Sequence, residues 1–106
     1  FSGRWFIDEL NRGVSGTMPA GQFTDVMVNL YEQYRSGDIE GARDIHTRLL
    51  PLISIENLHG VVFCKEILKR RGLIKSTYTR APGSIDRYDQ AEIDRLLKNI
   101  KEEYIA

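Results

Sequence analysis

At 106 residues the chain holds one domain at most, and its 42% hydrophobic residues suffice for a core, which excludes a disordered polymer. Lys+Arg and Asp+Glu number 15 each, so the formal net charge is zero and nucleic acid is excluded as the main partner. The lone Cys64 excludes an internal disulfide, and no apolar run approaches the roughly 20 residues of a membrane span.

The chain opens without an initiator Met, and Phe1-Ser2-Gly3 reads as the end of a strand. A helix is expected at about 4–12 and a short strand at 14–18, between glycine-bearing segments. This alternation is the grammar of β/α units, whose post-strand loops carry the polar groups that meet a ligand. Phe23, Val26, Met27, Leu30, Tyr31 and Tyr34 recur at helical spacing and predict a helix over 20–36. Gly37 ends it as a left-handed cap, and Asp38 caps the next helix.

That next helix, over 38–57, carries Ile39, Ala42, Ile45, Leu49, Leu50 and Ile53 on one face, with a kink or break expected at Pro51. A further helix covers 60–72 and stops at Gly72; Lys69-Arg70-Arg71 at its end opposes the helix dipole. Leu73 to Arg80 is an extended connector, and Ala81-Pro82-Gly83-Ser84 is a turn. The last helix, over 89–104, pairs Asp89 with Glu92 as a capping box and lines up Ile93, Leu96, Leu97, Ile100 and Tyr104. The fold class is therefore mostly α, with one strand whose partners lie outside this chain, since an isolated strand leaves its backbone unpaired.

Little in these elements is chemically reactive. Cys64 lies in an apolar run and reads as a small core residue in a reducing compartment, so a cytoplasmic location is expected. His46 and His59 lack further ligands at metal spacing, so no metal is expected. Lys65, Lys69, Lys98 and Lys101 fall on helices and Lys75 on the connector, not on buried strand positions where an amine would be desolvated.

Four segments together carry a family likeness. They are Arg12-Gly-Val-Ser-Gly-Thr-Met-Pro, Ser36-Gly-Asp-Ile-Glu-Gly-Ala-Arg with Leu49-Leu-Pro-Leu, Val62-Phe-Cys-Lys-Glu-Ile-Leu-Lys-Arg-Arg-Gly-Leu-Ile, and Thr79-Arg-Ala-Pro-Gly. In this order they resemble the C-terminal third of the dihydrodipicolinate synthase / N-acetylneuraminate lyase family. The resemblance implies the C-terminal part of a (β/α)8 TIM barrel with appended helices. Residues 1–20 would be the barrel end with its eighth strand, and 21–106 the last barrel helix plus the helical region.

It further implies a lyase or hydro-lyase that cleaves, condenses or dehydrates a pyruvate-type 2-keto acid through a lysine Schiff base. That lysine would precede Phe1, no cofactor would be needed, and the protein would be a dimer or tetramer. The chain alone would be inactive. By position, Ser2, Gly3, Arg4, Trp5, Gly16 and Thr17 would touch the substrate, although Arg4-Trp5 stands where better-known members carry acidic residues. Lys65 would match a structural helix lysine. A rival reading takes residues from Ala20 onward as a free-standing helical module that binds another protein, without catalysis.

Overall fold

The computed structural model of the chain describes residues 3–100. Five helices follow in order: α1 (Phe6–Asn11), α2 (Thr24–Arg35), α3 (Ile39–His59), α4 (Val61–Arg70) and α5 (Arg87–Leu97). A single 3-10 turn, Gly21–Phe23, leads into α2. The longest helix, α3, is the hub, because α1, α2, α4 and α5 all pack against it.

The stripes seen in the sequence form the core. Phe23, Val26, Met27 and Leu30 meet Ala42, Ile45, Leu49, Leu52 and Ile53 between α2 and α3. Phe63 and Ile67 join from α4, Ile93 and Leu96 from α5, and Phe6, Ile7 and Leu10 from α1. Each fully buried side chain of this size contributes about 1.5–3 kcal/mol relative to exposure. Phe6 also stacks on Tyr31 of α2, with ring centroids 6.2 Å apart.

The boundaries depend on capping chemistry. Gly37 adopts φ 98°, a left-handed conformation that suits glycine, and so lets the chain reverse between α2 and α3. The Asp38 carboxylate then accepts from the Gly41 N–H at 2.9 Å, satisfying a free donor of the first turn.

Four expectations need correction. The strand expected at 14–18 is absent: Val14 to Ala20 is irregular and mostly exposed, for no neighbouring strand among the described residues offers its backbone partners. Pro51 does not break α3, which runs through it to His59. Pro51 and Thr47, whose carbonyl loses its usual donor, both face solvent, where water can replace the missing bond.

Asp89 is not the cap of α5. Asp86 holds that place and accepts from the Asp89 N–H at 2.8 Å, so the helix starts at Arg87. Finally, the helix expected at 4–12 is confined to Phe6–Asn11, because Gly13 turns the chain at φ 95°. Phe1 and Ser2, and Lys101 and Tyr104 of the last expected helix, lie outside the described residues.

The basic run at the end of α4 ties helices together. Arg70 binds Glu66 on its own helix and reaches Asp94 and Gln90 on α5. Arg71 turns the other way, to Asp25 and the Gln22 carbonyl. Lys65 donates to the Tyr78 carbonyl at 2.5 Å, pinning the extended connector to α4.

Candidate functional site

Two hollows flank α1, and they share no residue. The first is a groove of 400 Å³ between the irregular segment after α1 and the exposed edge of α2. Ser15, Gly16 and Thr17 form one wall, while Phe6, Met27, Val28 and Tyr31 supply the apolar side. A Cβ on Gly16 would meet nothing within 4 Å, so packing inside this chain does not require glycine there. Thr17 is half-buried and adds a hydroxyl that can both donate and accept.

The second hollow is a cleft of 640 Å³ between the start of α1 and the outer face of α3. Arg4 and Trp5 line it with Arg43, His46, Leu50 and Ser54. Trp5 is 62% exposed in this chain. Nε2 of His46 lies 2.9 Å from the Gly3 carbonyl oxygen; a carbonyl only accepts, so Nε2 carries the proton. Gly3 itself is buried, at φ 79°, and a Cβ there would collide with the Met27 side chain.

The structure thus places Gly16 and Thr17 in one hollow and Arg4 and Trp5 in another, with Gly3 packed between Met27 of α2 and His46 of α3. Ser2 lies outside the described residues. Arg43 and His46 were not foreseen as site residues. Positions 43, 46, 50 and 54 follow helical spacing, so a second stripe beside the apolar face of α3 was the available signal.

The remaining reactive groups have structural partners. Burial first, and then the charge of Glu56, pushes the Cys64 thiol up from 9.0 to about 11, so it stays protonated at neutral pH. Gln22, only 2% exposed, donates to Glu56 at 2.6 Å beside it. Nε2 of His59 lies 3.1 Å from an Asp89 carboxylate oxygen, without the alignment of a hydrogen bond. Among the described residues, no three His, Cys, Asp or Glu side chains are grouped to hold a metal ion. Lys69, Lys75 and Lys98 are exposed, and Lys65 is engaged with Tyr78.

The sequence profile of the dihydrodipicolinate synthetase family matches residues 7–100, most of the chain. The chain belongs to this family. An L-2-keto-3-deoxyarabonate dehydratase of Azospirillum brasilense is 31% identical over 77 residues, covering 72% of this chain and 25% of that protein. The crystal structure of a dihydrodipicolinate synthase from Rhodopseudomonas palustris superposes with a TM-score of 0.84 at 31% identity, over 92% of this chain and 34% of that one.

The chain therefore spans a quarter to a third of the length of these relatives. Its fold is that of the C-terminal helical portion of a TIM-barrel lyase. No helix among the described residues is long and apolar enough to cross a membrane.

Proposed function

We propose that the protein to which this chain contributes is a lyase that cleaves, condenses or dehydrates a pyruvate-type 2-keto acid through a lysine Schiff base. The observation that carries this reading is the 31% identity to an enzyme described as a 2-keto-3-deoxy acid dehydratase. An iminium formed at a keto carbon draws electrons from the neighbouring carbon, so a proton can leave it and a β-hydroxyl can depart. The iminium is itself the electron sink, and the reaction asks for no metal or organic cofactor.

The amine must be held in an enclosed, desolvated place, and no described lysine of this chain has one. We therefore assign it to the part of the barrel outside this chain and expect the 106 residues alone to be inactive. Residues 1–20 would close the barrel and 21–106 would buttress it. Of the residues expected to face substrate, Gly16 and Thr17 best suit the substrate edge, since a glycine admits close approach and a threonine hydroxyl can orient a polar group.

Met18, 96% exposed, with Val14 and Val28 beside the same groove, leaves apolar surface that the rest of a barrel would cover. A cytoplasmic location fits the free thiol, and the dimer or tetramer is what the family resemblance implies. The test is borohydride trapping with pyruvate and related 2-keto acids, read by mass spectrometry. A stoichiometric adduct on a lysine outside these 106 residues supports the reading. An adduct on Lys65, Lys69, Lys75 or Lys98, or turnover by this chain alone, overturns the assignment.

A further inference from the structure

We propose that the cleft between the start of α1 and the outer face of α3 binds a small organic anion with a flat, apolar body. The charge balance points there first. Arg12, Arg48, Arg70, Arg71 and Arg95 each close on a carboxylate. Of the arginines with no carboxylate partner among the described residues, Arg35 and Arg87 lie over tyrosine rings and Arg80 stands on the connector, while Arg4 and Arg43 line one cleft together. The one carboxylate lining the cleft, Asp8, is held by Arg12 at 2.9 Å. Both residues line the open cleft, and a guanidinium can grip a carboxylate or phosphate with two parallel hydrogen bonds.

The remaining lining gives the ligand its shape. Ile7 and Leu50 supply apolar surface, and Trp5 offers an indole that no core packing covers. An exposed tryptophan beside two arginines suits a planar body that stacks on the ring while its charge meets the cations. The volume of 640 Å³ lies in the range of metabolite-sized sites. The bond from His46 to Gly3 holds the end of the segment bearing Arg4 and Trp5 against α3, so the two walls are fixed relative to each other.

This cleft shares no residue with the Gly16–Thr17 groove, so the proposal goes beyond the Schiff-base reading and is independent of it. Failure of borohydride trapping would leave anion binding intact, and failure of anion binding would leave the lyase reading intact.

Trp5 is the only tryptophan of the chain, so its emission reports on the cleft directly. The probe is phenyl phosphate, with benzyl alcohol as the uncharged control and inorganic phosphate as the anion without a flat body. A saturable change in Trp5 emission is expected with phenyl phosphate. Arg4→Gln and Arg43→Gln should each weaken it by about tenfold or more, the size of a lost charge-assisted hydrogen-bond pair. Both side chains are exposed, and circular dichroism checks that the variants keep their helices. Calorimetric titration of the longer protein with phenyl phosphate should show the same site and the same loss in Arg43→Gln.

The proposal is overturned by no saturable response, by equal affinity for benzyl alcohol or for inorganic phosphate, by binding unchanged in both variants, or by a longer protein that does not bind.

Discussion

The guanidinium of Arg71 forks onto the carboxylate of Asp25, joining the end of α4 to the first turn of α2 across 46 residues of sequence. The same guanidinium donates to the Gln22 carbonyl at 2.5 Å, so one side chain also fixes the 3-10 turn. Both partners are about four-fifths buried. Two flat charged groups thus close the side of the molecule where α4 meets the entry to α2.

This pair should be measurable in stability. Removing one member of a largely buried pair leaves the other charged and unpaired, so Arg71→Ala should cost about 2–4 kcal/mol in urea unfolding. Arg71→Lys keeps the charge but not the fork, and should lose at least about 1 kcal/mol. The hydrogen bond to Asp25 holds Arg71 protonated, above the ordinary arginine range. A cation favoured by folding stabilises fully below its unfolded value and loses that contribution only as pH rises through the folded one, so the pair should be constant from pH 5 to 9, within roughly half a kcal/mol.

Cys64 should be a slow thiol. Folding raises it from 9.0 to about 11, so the protonated form is favoured by the native state. Its contribution is complete below pH 9.0 and is lost as pH rises toward 11. Alkylation by iodoacetamide at pH 7.5 should be slower than in denaturant by about tenfold or more, and should accelerate steeply above pH 9. A native rate equal to the unfolded rate at pH 7.5 would show that the thiol is not suppressed.

Gly3 and Gly37 separate two costs of a side chain in left-handed backbone. Gly37→Ala meets only open space, so backbone strain alone should cost about 1 kcal/mol. Gly3→Ala adds a close approach to the terminal methyl of Met27, a flexible chain end that can move aside, so it should cost more than Gly37→Ala by no more than about 1 kcal/mol. In a double-mutant cycle Met27→Ala should recover the steric part, making the pair less damaging than the sum. Additive losses would mean that Met27 is not what excludes a side chain at position 3.

The start of α5 can be assigned by mutation. Asp86→Ala should cost about 1 kcal/mol, while Asp86→Asn, which still accepts from the Asp89 N–H, should cost only a few tenths. Asp89→Asn leaves that cap in place and should change helix stability less than Asp86→Ala does. The reverse order, in thermal unfolding followed by circular dichroism, would return the cap to Asp89.

Local chemistry made much of this legible. Val26, Leu30, Ala42, Ile45 and Leu49 announce their buried faces by spacing alone, because a helix repeats every 3.6 residues whatever packs on it. Gly37 and Asp38 announce the α2–α3 junction because a positive φ and a free N–H each favour particular residues. Asp86 was overlooked for a related reason: two aspartates stand three residues apart, and only the path of the preceding Pro82–Ile85 segment selects between them.

What the sequence by itself determined was the set of helices, their buried faces and the family, all of which depend on neighbours in the chain or on residue order. The tertiary structure alone decided that Val14 to Ala20 stays irregular within this chain, since strand pairing needs backbone partners that the described residues do not supply. It also decided that Arg71 seeks Asp25, that His46 seeks Gly3, and that Arg4 and Trp5 open onto Arg43 rather than onto Gly16 and Thr17. Those partners lie 46, 43 and about 40 residues apart, and contacts at such separations depend on how the helices pack.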